Sequence, residues 1–159
     1  MFSKEFKLSW LIKFFGFTKV AMIFFCRPKV MHVDNNMLEI KIPLNRRTRN
    51  HVKSMYLGTL AVGADITGGF LAMPHIRKSN RKIVLLFKDF SAKFLKRAEG
   101  DVQFICNEGT AVESLVEEAI KTGERKNHTL KIYAKVPKKS DDIVAEFDLT
   151  ISIKDYTKK

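Results

Sequence analysis

From Lys4 to Cys26 apolar residues crowd the chain without alternating, and Lys7, Lys13 and Lys19 interrupt them at intervals of six. A membrane span needs roughly twenty predominantly apolar residues, and a signal peptide an unbroken apolar centre before a small-residue cleavage site. The longest uncharged run here is only Val20 to Cys26. The pattern predicts one amphipathic helix within residues 1–28, ended by Pro28, with its many aromatics on the apolar side. Such a helix either covers the domain's own core or meets a membrane surface or a partner.

Beyond Pro28 the period changes from helical to alternating. "KVMHVDNNMLEIKIPL" reads as a hairpin, with Leu38, Ile40 and Ile42 on one face and Asp34-Asn35-Asn36 as its turn. "KIVLLFKDFSAKFLKR" is a long extended run with Val84, Leu86, Phe90, Ala92 and Phe94 at even positions. Glu99-Gly100-Asp101 is expected to turn it back into "VQFIC" as a second hairpin. "TAVESLVEEAIKTG" has the marks of a helix: a Thr110/Glu113 capping box, a stripe of Val112, Leu115, Val116, Ala119 and Ile120, and Gly123 to end it. Two more alternating strands follow, one through Leu130, Ile132 and Ala134 and one from Ile143 to Ile153, across the turn "KKSDD". The expected order after the first helix is two strands, a long helix, two strands, a short helix and two strands. Strands joined by short turns pair antiparallel, so residues 29–159 read as one α+β domain with about six antiparallel strands.

The long helix carries the chemistry. Ser54 to Pro74 holds one carboxylate, Asp65, and four glycines. On a wheel, Gly58, Ala61, Asp65, Gly69 and Ala72 fall within roughly 80°. One face is nearly bare, open to close approach, and Asp65 lies on it. Each glycine costs a helix about 0.5–1 kcal/mol against alanine, so the clearance must be used. A carboxylate in such surroundings loses water, its pKa rises, and it suits a general base near neutral pH. A structural Asp, accepting hydrogen bonds from its own chain, is the bland alternative.

Net charge changes the picture of partners. Of the total of +12, residues 1–53 carry +8, with eleven Lys/Arg against three Asp/Glu. That asymmetry favours phosphate-bearing ligands, an acidic partner protein or anionic lipid. Nucleic acid is not expected, because the aromatics sit in the first helix and in core-patterned strands rather than on a basic sheet face. Cys26 and Cys106 lie in apolar runs without a C-x-x-C, which suits a reducing, cytoplasmic setting. The four histidines show no metal-ligand spacing, so no metal and no cofactor is expected. Neither G-x-S-x-G nor a P-loop occurs.

The order of elements around a Gly-rich central helix resembles the hotdog-fold acyl-CoA thioesterase superfamily. The nearest comparison is the small phenylacetate-pathway type, and an uncharacterised bacterial branch related to it looks closer still. The resemblance covers about Lys29 to Lys154. Those small thioesterases carry an Asn, a His-Gly-Gly triplet six residues on that opens the helix, and an Asp seven residues after the last Gly. Asn50, Gly58 and Asp65 match in spacing, whereas the triplet here reads Tyr56-Leu57-Gly58 and lacks the His and the first Gly. His51 is the candidate replacement donor.

The resemblance implies a six-stranded sheet wrapped around the helix, and subunits paired as a homodimer or dimer of dimers with active sites between them. It also implies Asp65 as base or nucleophile, with Asn50, His51, Tyr56 and Gly58 near an oxyanion site at the helix N-terminus. Arg46, Arg47 and Arg49 would then meet the phosphates of CoA or the acidic face of an acyl-carrier protein, and Phe90 and Phe94 would line an acyl tunnel. Two functions follow: hydrolysis of acyl thioesters, or a non-catalytic domain that binds an acyl chain or a partner, docked to a membrane by its first helix.

Overall fold

The computed structural model describes residues 2–157. Its elements are helices α1 (Lys4–Thr18) and α2 (Ala21–Cys26), strands β1 (Lys29–Val33) and β2 (Leu38–Ile42), helix α3 (Leu57–Lys78), strands β3 (Ile83–Phe94) and β4 (Val102–Cys106), helix α4 (Gly109–Thr122), and strands β5 (Lys126–Lys135) and β6 (Ile143–Asp155). The six strands form one antiparallel sheet in the order β1-β2-β4-β5-β6-β3. It wraps around α3, the one described helix long and apolar enough to cross a membrane.

The first hairpin forms as read: Asp34 Oδ1 accepts from the backbone N–H of Asn36 and Met37, tying the turn. The second does not. β4 lies between β2 and β5, and β3 pairs with β6 at the far edge. Length and anchoring explain the difference. β3, with 12 residues, matches the 13 of β6, whereas β4 has 5 and matches β2. The connection 95–101 is held at the end of β2: Ala98 C=O accepts from Met55 N–H, and Asp101 Oδ1 accepts from Leu44 N–H. The chain therefore enters β4 beside β2.

β3 also departs from simple alternation. Its register against β6 slips between Phe87 and Asp89, a β-bulge that flips the side chains. Before it the odd positions Ile83, Leu85 and Phe87 face α3. After it the even positions Phe90 and Phe94 pack on Phe147, with ring centroids 5.8 and 6.3 Å apart.

Two glycines let the sheet close on α3. An ideal Cβ on Gly63 would sit 2.2 Å from the Phe104 ring, and one on Gly68 would sit 2.8 Å from Leu149. Neither belongs to the Asp65 face, which turns instead toward the edge strand β3, where Gly69 lies under Phe87. Leu57 is exposed at the helix start.

The short helix α4 ends at Gly123 in the left-handed conformation, as its sequence implies. Its start differs: Thr110 makes no capping box with Glu113. Instead Asn36 Oδ1, from the β1–β2 turn, accepts from both the Thr110 N–H and its hydroxyl, and Glu113 pairs with Lys78. A neighbouring turn supplies the acceptor the helix needs.

The N-terminal segment is two helices rather than one. Gly16 allows the backbone of Phe24 to approach so closely that a Cβ there would lie 2.6 Å from its nitrogen. α2 therefore folds back against α1 through Lys19 and Val20. The buried stripe of α1 is narrow, formed by Ser9, Ile12 and Gly16, and Ser9 Oγ accepts from the Val30 N–H. The aromatics do not line the buried side as expected. Phe6, Trp10, Phe14 and Phe17 point outward, Trp10 at 62% and Phe17 at 71% exposure.

Candidate functional site

α3 starts after Tyr56, which is extended and offers no side-chain cap, so the first backbone N–H groups of the helix keep their donors free of side-chain acceptors. Asp65 lies eight residues into the helix, on the face turned away from Phe104 and toward β3. Its carboxylate makes no hydrogen bond or ion pair with any described residue, and burial alone pushes its pKa up to about 6. The bland reading, a carboxylate tied up by its own chain, is not what the structure holds.

Two hollows meet at Asp65. One, of about 430 Å³, runs along α3 toward Met73 and Ile76, walled by Phe87 of β3 and roofed by Phe15 and Ile23 of the N-terminal hairpin. The other, of about 290 Å³, opens over Ala61, Phe87 and Phe90. Gly69, one turn beyond Asp65, lies under the Phe87 ring, where a Cβ would stand 3.2 Å from it. The glycine keeps the floor of the first hollow low.

The loop before α3 is built separately. Asn50 spends its side-chain carbonyl on the turn, accepting from the N–H groups of Val52 and Ser54. It lines a third hollow, of about 470 Å³, with Leu57, Phe94 and Arg97. His51, Arg46 and Arg49 are exposed. Arg47 is exposed too and stacks over the Phe25 ring at 5.4 Å, which ties the basic loop to α2. Tyr56 folds its ring against Gly58, whose Cβ would lie 2.6 Å from it.

Within one chain, then, Asp65 and Phe90 share one hollow and Asn50 and Phe94 share another. Asn50, His51 and the helix start do not converge on Asp65, because eight residues of helix separate Leu57 from it by about 12 Å.

Sequence reasoning missed three residues that shape this region. Thr48, fully buried, donates to Pro43 C=O and accepts from Asn45 N–H, holding the basic loop. Arg97 donates to Ser54 Oγ and to Val52 C=O, bracing the loop from across the fold. Phe15 belongs to the first hollow although it lies fifty residues from Asp65. None has a local pattern that marks it. No group of three His, Cys, Asp or Glu side chains among the described residues is arranged to hold a metal.

Solved structures of similar shape bear on the fold. A Pseudomonas aeruginosa protein of unknown function, named a probable thioesterase, superposes with a TM-score of 0.76 at 20% identity, covering 93% of this chain and 96% of its own. A Chlorobaculum tepidum protein of unknown function gives 0.80 at 13% identity, over 94% and 96%. A Haemophilus influenzae thioesterase gives 0.70 at 13% identity, over 98% and 93%. These likenesses establish the hotdog fold, a six-stranded antiparallel sheet around a long central helix. No curated protein matches the chain. Residues 9–153, from the first buried turn of α1 to the end of β6's core, match the domain of unknown function DUF4442, and the chain belongs to that family.

Proposed function

We propose that the protein hydrolyses acyl thioesters, of CoA or of an acyl-carrier protein, with Asp65 as general base. The observation that carries this reading is the half-buried Asp65 carboxylate, free of partners among the described residues, at the end of an apolar hollow, with its pKa near 6. Structural likeness to thioesterases at low identity agrees with it.

A base with that pKa is ionised at neutral pH and still accepts a proton readily. Asp65 would take a proton from water as the water oxygen attacks the thioester carbonyl carbon. The resulting tetrahedral intermediate expels the thiolate, and the proton passes from Asp65 to sulfur. The oxyanion needs donors, and the free N–H groups at the start of α3 are the suitable ones. Since about 12 Å of helix separates them from Asp65 in the same chain, the site is read as completed by a second copy. β3 supports that pairing: it is an edge strand, bonded on one side only, and it exposes Val84, Leu86, Phe90 and Phe94. Arg46, Arg47 and Arg49 are available for phosphates or an acidic carrier surface.

A second reading, a non-catalytic acyl-binding domain at a membrane, draws on the outward aromatics of α1. Phe6, Trp10, Phe14 and Phe17, with Lys4, Lys7 and Lys13 among them, have the composition of an interfacial helix. Hydrolysis of a panel of acyl-CoAs by wild type and Asp65→Asn decides between them. Turnover abolished in a folded Asp65→Asn variant supports the enzyme. Equal background rates in both, together with sedimentation on anionic vesicles, would favour the second reading.

A further inference from the structure

We infer that the hollow under the N-terminal hairpin is the acyl-chain site, and that the hairpin sets how long a chain it takes. The inference rests on the thioester reading and adds the substrate class. It also moves the acyl site away from the Phe90/Phe94 side that the family resemblance implied.

The lining is the first argument. Among the described residues Asp65 is its sole ionisable one, and it stands at one end. Along α3 the wall continues through Ile66, Gly69, Phe70, Met73 and Ile76, all without polar side chains. One carboxylate followed by hydrocarbon matches a ligand with a reactive polar head and an apolar tail. At about 430 Å³ the hollow lies within the ~300–1,000 Å³ range of ligand sites.

Length is the second. Asp65 to Ile76 spans eleven residues, or about 16 Å of helix. An extended chain advances about 1.2 Å per bond, a third of an extended residue. With the carbonyl carbon held near Asp65, about 16 Å holds about thirteen bonds, so the hollow takes about twelve to fourteen carbons.

The roof is the third. Phe15 of α1 meets Phe70 of α3 edge to face, with centroids 5.6 Å apart, and Ile23 of α2 is buried beside them. These contacts exist only because the chain breaks at Val20 and folds back over α3. The hairpin is therefore part of the binding site, and its position decides where the tail must stop.

Two substitutions push in opposite directions. Met73→Trp fills the distal half of the hollow, and Phe15→Ala opens its roof. Hydrolysis rates are measured for acyl-CoAs from about four to sixteen carbons, a range that brackets the length the hollow takes. Binding of non-hydrolysable thioether analogues of the same lengths to the Asp65→Asn protein is measured in parallel by calorimetry.

In wild type, both quantities should peak near about twelve to fourteen carbons. Met73→Trp should lower the ratio of dodecanoyl to hexanoyl activity at least tenfold, and Phe15→Ala should shift the peak to longer chains. A ratio of two chain lengths within one variant is independent of how much of it is folded. Should Met73→Trp fail to fold, Phe15→Ala still carries the test. Graded binding that follows these shifts without any turnover upholds the acyl site while the hydrolase reading falls. Turnover with the same chain-length profile in wild type and both variants overturns the acyl site and leaves the hydrolase standing.

Discussion

The Phe104 ring occupies the space a side chain on Gly63 would need: an ideal Cβ there would fall 2.2 Å from its tip. Phe104 is itself fully buried and packs against Phe147 at 6.2 Å between centroids, so it cannot move aside. Ordinarily alanine would stabilise a helix interior by about 0.5–1 kcal/mol over glycine. Here the clash outweighs that gain. Gly63→Ala should lower stability by about 1–2 kcal/mol in urea denaturation, the ~1–3 kcal/mol cost of overpacking less the helix gain. A neutral or stabilising result would mean that the sheet does not close on α3 at this point.

Asp65 makes stability and activity depend on pH in opposite senses. Its carboxyl titrates near 3.8 when unfolded and near 6 when folded, raised by burial. Below the unfolded value both states hold the proton and there is no effect. Between the two values folding must hold or gain the proton, and above 6 the ionised, desolvated carboxylate costs stability in full. Asp65→Asn removes that cost, so the variant should be more stable than wild type above pH 6, by up to about 3 kcal/mol, and equal to it below about pH 4. Thermal unfolding from pH 4 to 8 measures this difference; a variant less stable at pH 8 would count against an unpaired carboxylate.

The rate should follow the same group. With Asp65 as base, hydrolysis requires the ionised form, so kcat/KM should rise with pH through an apparent pKa near 6 and then level off. A profile flat from pH 5 to 8 would remove Asp65 from the chemistry.

The start of α4 tests where its cap comes from. Asn36 accepts from Thr110 at two atoms, while Glu113 is committed to Lys78. Asn36→Ala should cost about 1 kcal/mol, whereas Glu113→Ala, in an exposed ion pair, should leave stability little changed. The reverse order would restore the local capping box.

Arg97 braces the loop that carries Asn50 through Ser54 Oγ and Val52 C=O. Arg97→Ala should cost about 1–2 kcal/mol and speed tryptic cleavage at Lys53. Arg97→Lys should not restore the loop, because one ammonium cannot reproduce the guanidinium's two-sided geometry. Unchanged cleavage in the alanine variant would leave the bracing role without effect.

Local chemistry was readable in the chain wherever it acts within a few residues. Alternation marked the six strands, the Asp34 turn marked the first hairpin, and Gly123 marked the end of α4, since each depends on the period or on one residue's own conformation. Asp65 stood out because an uncompensated carboxylate in an apolar helix is costly wherever the helix packs.

Tertiary structure decided what depends on distance in the fold. β3 pairs with β6 rather than β4 because strand lengths match and the 95–101 connection is anchored beside β2. The glycines needed for closure are Gly63 and Gly68, chosen by where Phe104 and Leu149 arrive from other strands. The first helix breaks in two because Gly16 admits the backbone of Phe24, and that break brings Phe15 over Phe70 and closes the hollow beside Asp65. A period or a cap is local and can be read along the chain, whereas a wall shared by α1 and α3 exists only after the chain has folded back on itself.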